Sequence, residues 1–265
     1  MYESKPNLRT YTDYGQQFAD FYDDIFPRHQ LSDIEVAWLA DRIPPAAQSV
    51  VELGVGTGRV ALPLQEMLAR TGRKVRFTGI DISQEMLEML RLVDPAGTVE
   101  RRQGDISSFE YNIEPDVILC VCATISMICD PVMQRTTIEK AAEALKPGGT
   151  LIVETHNATA ISAMHVADTV TFCVPYPGNQ RALVSFSTLE GKSWHVDHAW
   201  IDAGTARFAS EDSRLTTLEE LDDYATGSGL IKASHTRGFS DNPVTDNCPT
   251  VTAVYSKPET LRPQS

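Results

Sequence analysis

From about residue 46 to 155 the chain alternates short apolar runs with segments whose apolar positions recur every three or four residues. "SVVELG" reads as a strand and "TGRVALPLQEMLART" as a helix; "VRFTGIDIS" and "QEMLEMLRLV" repeat the pair. "VERRQGDI" predicts a third strand, "DVILCVCA" a fourth, "PVMQRTTIEKAAEALKPGG" a helix with a Pro-Gly-Gly stop, and "TLIVETHN" a fifth strand. The rhythm predicts an α/β protein with a mostly parallel central sheet and ligand loops at the carboxyl ends of its strands.

Ahead of this core, "YGQQFADFYDDIFPRHQLSDIEVAWLADRI" carries two helical patterns broken at Pro27. Behind it, "VTFCVPY", "RALVSFSTLEG", "SWHVDHAWIDAG" and "TARFAS" predict short strands between turn residues, an antiparallel β insertion after the fifth strand. "TTLEELDDYATGSG" then predicts a helix with Thr216 at its N-cap, and "IKASHTRGF" and "TVTAVYSK" two closing strands. With no internal repeat or obvious linker, the expectation is one domain over 1–265. Its parts would be N-terminal lid helices (1–45), a core (46–165), the insertion (166–215), and a closing helix and strands (216–265).

Composition narrows the function. With 265 residues, 42% of them hydrophobic, the chain can build a substantial core. Its apolar runs fall short of the roughly 20 residues a membrane span needs. The start, "MYESKPNLRTYTDYG", has no apolar signal core, so a cytoplasmic protein without membrane contact is expected. Five cysteines, at 120, 122, 129, 173 and 248, read as buried thiols of a reducing compartment, and their spacing predicts no metal site. A net charge of −13 opposes nucleic-acid backbones and anionic lipid, leaving a small-molecule substrate.

In "ELGVGTG" the glycines are Gly54, Gly56 and Gly58, and Arg59 stands where a dinucleotide fingerprint closes with glycine or alanine. Glu52, two residues before the loop, suits an ammonium group better than a pyrophosphate. Asp81 ends the next strand, where a carboxylate can accept both ribose hydroxyls. "GDI" places Asp105 and the Ile106 backbone to read an adenine edge. Together these residues describe a pocket for a nucleoside with a zwitterionic tail and no phosphates.

Through "VELGVGTG", "GIDIS", "GDI" and "LKPGGTLIVE" the chain resembles the class I S-adenosylmethionine-dependent methyltransferases over about residues 46 to 155. The resemblance implies a Rossmann-like fold and S-adenosylmethionine as cofactor, with S-adenosylhomocysteine as product. It implies that Gly54, Gly56, Thr57 and Gly58 admit the methionine portion and that Asp81 holds the ribose. Ile82 and Met86 would flank the adenine and Gly104, Asp105 and Ile106 its amino edge, with Glu52 and Cys120 completing the cofactor set.

The acceptor must be read outside that core. The fourth strand ends "CVCATIS" and lacks the Asn/Asp-Pro-Pro-aromatic tetrad of many enzymes that methylate nucleic-acid or protein nitrogen. "YTDYGQQFADFYDDIF" resembles the lid helix of small-molecule N-methyltransferases acting on deoxyaminosugars and lincosamide antibiotics. That likeness implies catalytic roles for Tyr14 and Tyr22 near the methionine tail and the acceptor, with Tyr11 as a substrate contact. For Tyr22 the alternative is the apolar face of an ordinary helix with Phe18, Phe21 and Ile25. Cys122 stands where those families place an aromatic or His that faces the acceptor.

His156, ending the fifth strand, is a candidate base and substrate contact, or only a loop histidine bonded to backbone. In "SWHVDHAW" the alternation puts Trp194, Val196, His198 and Trp200 on one face. Trp194 could then line a substrate pocket, or the indoles could pack the insertion or meet a second copy in a homo-oligomer. The resulting expectation is methyl transfer to a small-molecule amine in antibiotic-type specialised metabolism. The alternatives are O- or C-methylation with His156 as base, a non-catalytic cofactor-binding protein, and a nicotinamide dehydrogenase.

Overall fold

The computed structural model describes residues 12–27, 31–167, 169–178 and 180–259. Tyr11 lies outside them. The five expected core strands form as β1 (Ser49–Leu53), β2 (Arg76–Asp81), β3 (Val99–Gln103), β4 (Val117–Cys120) and β5 (Thr150–His156). The closing pair is β10 (Ile231–Arg237) and β11 (Thr250–Ser256). These seven make one sheet in the order β10-β11-β5-β4-β1-β2-β3. The β1–β2, β1–β4, β2–β3 and β4–β5 pairs are parallel, and β11 runs antiparallel to β5 and β10. Strand order reverses between β1 and β4, the switch point at whose carboxyl side an open α/β sheet leaves a crevice.

The central strands are apolar throughout because both faces are covered: every residue of β1 and β4 is buried. Helix α4 (Ala61–Arg70) lays Leu64 and Leu68 on one side, and α7 (Pro131–Ala144) lays Ile138 and Ala141 on the other. Local chemistry fixes the helix starts. Ser83 caps α5 (Gln84–Val93) by accepting the Met86 N–H at 3.1 Å, and Asp130 with Pro131 opens α7.

Helix α9 (Leu218–Gly227) begins one residue later than expected. Its cap is Thr217, in a capping box with Glu220, while the Thr216 hydroxyl is buried and donates to Gln134 Oε1 at 2.9 Å. Two adjacent threonines offer the same cap chemistry, and the tertiary bond to Gln134 decides between them.

The lid pattern does not run as one helix. It divides into α1 (Thr12–Phe18) and α2 (Tyr22–Ile25), and α3 (Asp33–Asp41) follows with a Ser32/Glu35 capping box. The break aims Phe18, Phe21 and Ile25 together into a cluster with Trp200. Fully burying a side chain such as Phe18 contributes about 2 kcal/mol.

The insertion is a four-stranded antiparallel sheet, β6 (Thr169–Pro175), β7 (Arg181–Glu190), β8 (Ser193–Asp202) and β9 (Thr205–Arg214). Its alternation buries Trp194, Val196, His198 and Trp200 on one face, as the period-2 pattern requires. Trp194 and Trp200 are 8% and 0% exposed within their own chain, so they do not form an exposed contact for a second copy. The large aromatics that this sheet does expose are Phe186 and Phe208.

Hydrogen bonds seat the lid on both neighbours. Thr57 Oγ1 donates to Asp23 Oδ1 at 2.6 Å, Ser210 N–H donates to Gln17 Oε1 at 2.8 Å, and Tyr176 Oη donates to the Ile25 carbonyl at 2.8 Å. Among the described residues no helix is long and apolar enough to cross a membrane. Of the cysteines only Cys120 and Cys248 are buried; Cys122 is half-buried and Cys129 and Cys173 are exposed. Cys129 follows the short helix α6 (Thr124–Met127) outside the sheet, and Cys173 lies on the outer face of β6.

Candidate active site

A cavity of about 530 Å³ opens at the switch point. Its wall takes residues from the carboxyl ends of all five core strands, from the lid and from β9. Of the residues singled out in the sequence, Tyr14, Tyr22, Gly54, Gly56, Asp81, Ile82, Met86, Gly104, Asp105, Ile106, Cys122 and His156 are on the wall.

The end of the cavity at the glycine loop is built largely from backbone. Gly54, Gly56 and Gly58 all have positive φ, and the strand-to-helix turn needs it. A Cβ on Gly54 would come within 2.4 Å of Thr124 Cγ2, and one on Gly58 within 2.5 Å of Leu90 Cδ1. A Cβ on Gly56 would meet nothing within 4 Å and would stand in the cavity itself. Asp81 ties this loop to the next: Oδ2 accepts the Gly56 N–H at 2.7 Å and Oδ1 the Ser83 N–H at 2.9 Å. Burial raises the Asp81 pKa against the opposing pull of those N–H groups. Asp105 Oδ1 is held by the Ser107 N–H and hydroxyl at 2.8 and 2.7 Å. Gly15 of α1 rests on this wall so closely that a Cβ would lie 1.9 Å from Ser83 Oγ.

Four sequence candidates lie behind the wall. Thr57 is buried and bonded to Asp23 of the lid, and Gly58 packs on Leu90 and Leu62. Cys120 is fully buried, its thiol pushed up to about 12 by that burial. Glu52 is 3% exposed; it accepts the Ala61 N–H at the start of α4 and leaves Oε2 without a partner. Burial pushes its carboxyl up to about 8, so it is largely neutral at pH 7.

The other end, which the sequence reading assigns to the acceptor, is built from side chains. After β4 the backbone takes two consecutive left-handed residues, Cys122 at φ 55° and Ala123 at φ 59°, a strain of order 1 kcal/mol or more each. Glu154 of β5 holds this turn: its carboxylate accepts the Cys122 N–H and, at 3.3 Å to Oε2, the Ala123 N–H. Burial pushes Glu154 up to about 7 and the Cys122 thiol up to about 12. Glu154 and His156 are two apart on one strand, which brings both to the wall.

His156 packs edge-on against Trp194 with ring centroids 4.8 Å apart. Desolvation lowers its pKa, and only Glu211 of β9 opposes that shift, so the imidazole is neutral at pH 7. Trp194 is therefore not on the wall; its Nε1 donates to Ser187 Oγ at 2.5 Å and its ring fixes His156 from behind. His198 is also buried, with Nδ1 2.8 Å from Ser185 Oγ and Nε2 3.7 Å from Glu211 Oε1. Met127, Ile128, Met133 and Phe239 supply the apolar lining.

The wall holds residues that sequence reasoning missed. Arg59 reads there only as a departure from a dinucleotide loop, yet it lines the cavity. The alternation in "VETH" carries a signal for Glu154. Glu211 has none, since only tertiary packing brings β9 to the core. The residues fit S-adenosylmethionine: the Gly56 cradle admits a chain at the backbone, and Asp81 and Asp105 keep acceptor oxygens on the wall. Among the described residues no cluster of His, Cys, Asp or Glu could hold a metal ion.

Residues 50–149 match the family model described as a methyltransferase domain. A ubiquinone biosynthesis O-methyltransferase of Albidiferax ferrireducens is 25% identical over 159 residues, which cover 57% of this chain and 58% of the relative. The chain thus spans little more than half the length of the curated relatives it matches. The CcbJ methyltransferase of Streptomyces caelestis superposes with a TM-score of 0.81 at 25% identity, over 95% of this chain and 100% of that one. The same fold appears in SAM-bound CalS10, an amino pentose methyltransferase of Micromonospora echinaspora involved in calicheamicin biosynthesis. That match has a TM-score of 0.68 at 20% identity, over 89% of this chain and 96% of the other.

Proposed function

Since the chain carries a class I S-adenosylmethionine-dependent methyltransferase domain, we propose that it methylates an amine nitrogen of a small sugar-derived or amino-acid-derived metabolite. The observation that carries this reading is the charge of the acceptor end, where Glu35, Glu154 and Glu211 share the wall with a neutral His156. Carboxyl groups in a partly desolvated cleft attract an acceptor that arrives as an ammonium ion. The amino pentose named for one structural neighbour supports the same class of acceptor.

When bound, S-adenosylmethionine supplies a methyl group already activated on a sulfonium, so alignment and water exclusion dominate what the protein must add. Tyr14 and Tyr22 are partly buried on the wall, and desolvation raises both phenol pKa values, so they act as neutral hydrogen-bonding groups and not as phenolates. An ammonium acceptor must shed a proton before its lone pair is free. His156 can take that proton, and the charge of Glu211 stabilises the imidazolium that results. Glu154, with a pKa of about 7, is a second proton acceptor on the same wall.

One observation favours a second reading, O-methylation. A neutral His156 is equally suited to deprotonate a hydroxyl, and the curated relative is an O-methyltransferase. The two separate in a mass-spectrometric assay with S-adenosylmethionine and paired acceptors, amino sugars and their hydroxyl counterparts. The amine reading expects one methyl gained on nitrogen and none on the counterpart, with His156→Ala slowing transfer by less than about tenfold at alkaline pH, where the amine is already neutral. A methylated hydroxyl together with a loss of about a hundredfold or more in His156→Ala would establish oxygen as the acceptor.

A further inference from the structure

The cavity is acidic with a single exception. Glu35, Asp81, Asp105, Glu154 and Glu211 face it, and among the described residues Arg59 is the one lysine or arginine on its wall. Other partly buried arginines of this chain are spent on structure: Arg73 donates to the carbonyls of Ala40, Ile43 and Pro44, and Arg181 pairs with Asp24 and Asp202. Arg59 hydrogen-bonds the Tyr22 side chain but donates to no carbonyl or carboxylate among the described residues, and its Nε, like that of Arg73, is buried without a partner. Its guanidinium stands 5.5 Å over the Phe26 ring, with Cys122, Tyr22 and Glu154 as electrostatic neighbours. It therefore sits where the glycine loop, the end of β4 and the lid converge.

S-adenosylmethionine has two cationic centres and one carboxylate. The acidic wall suits the cations; the carboxylate needs a cation, and one is available. We propose that Arg59 is the residue that holds the cofactor's carboxylate, fixing the methionine tail between the glycine loop and the lid. A partly buried arginine with no carboxylate bonded to it is prepared for a planar, two-oxygen partner. The position also accounts for the departure from the dinucleotide fingerprint. Where a pyrophosphate loop needs a small residue for close helix packing, this loop places a long cation that reaches past its own helix into the cavity.

The proposal rests on the cofactor reading of the site but is indifferent to whether nitrogen or oxygen is methylated. It is tested by titration calorimetry of the full chain with S-adenosylhomocysteine and with its decarboxylated analogue, which retains the nucleoside, thioether and amine. Wild type is expected to bind the homocysteine compound about ten- to a hundredfold more tightly than the analogue, the range for a lost charged hydrogen-bond pair. Arg59→Met is expected to lose that preference by weakening the first ligand alone, and Arg59→Lys to retain part of it. Equal weakening of both ligands, or an unchanged preference in Arg59→Met, would overturn the assignment. If Arg59→Met does not fold, Arg59→Lys and the wild-type preference decide: no wild-type preference, or an undiminished one in the lysine variant, overturns it. Failure of wild type to bind either compound would instead refute the cofactor reading.

Discussion

The end of the cavity where we place the nucleoside is made of backbone and the end where we place the acceptor is made of side chains, and the two ends tolerate change differently. At the first, Asp81 spends both oxygens on N–H groups of Gly56 and Ser83, so one carboxylate shapes the loop and faces the ligand together. At the second, Cys122, Glu154, His156 and Glu211 come from the turn after β4, from β5 and from β9 and meet on one wall. A pocket for an invariant cofactor can be rigid and local. A pocket for a variable acceptor is assembled from distant elements, each of which can change without breaking the loop that binds the cofactor.

The largest expected effect falls on Asp81. Asp81→Ala strands two backbone N–H groups and removes the carboxylate we propose for the ribose, so calorimetry should show S-adenosylhomocysteine binding weakened by about a hundredfold or more. Loss below about tenfold would move the cofactor's anchor elsewhere in the wall.

The next contrast lies within the glycine loop. Gly54→Ala meets Thr124 at 2.4 Å in a left-handed position, and a thermal melt should show about 2 kcal/mol of destabilisation or more. Gly56→Ala has open space around it and should cost only the strain of its positive φ, about 1 kcal/mol, while its ligand affinity drops steeply. Comparable melting loss in both variants would show that the cradle at Gly56 is structural.

Most of the nucleoside end is legible in the sequence because each residue sits at a strand end fixed by local pattern. The turn after β1 needs glycines, Asp81 is the last residue of β2, and Asp105 lies two residues beyond β3. The acceptor end is not legible in that way. Glu211 reaches the cavity through the packing of the insertion against α1, and no spacing within "ASEDSR" encodes it. The lid likewise breaks at Ala19–Phe21, because burying Phe18, Phe21 and Ile25 with Trp200 outweighs the continuity of one helical period. Glu52 shows the converse limit: the pattern marks it as an acid before the loop, but not that it turns inward to Ala61.

That inward turn has a smaller, pH-dependent signature. The folded pKa of Glu52, about 8, lies above its unfolded value of about 4.5. The folded state therefore prefers the protonated acid, and stability is lost as pH rises through that window. Glu52→Gln keeps the Ala61 bond without the charge, so its melting temperature should gain on wild type progressively between pH 5 and pH 8, within about 10 °C. An advantage independent of pH would mean that Glu52 is not buried as a neutral acid.

The division between the two ends is tested most directly by titrating S-adenosylhomocysteine into a double variant of the acceptor end, His156→Ala with Glu211→Gln. Separate construction predicts affinity within about threefold of wild type, a difference of less than 1 kcal/mol. A loss matching that of Asp81→Ala would contradict it, because the acceptor side chains would then be part of the cofactor site.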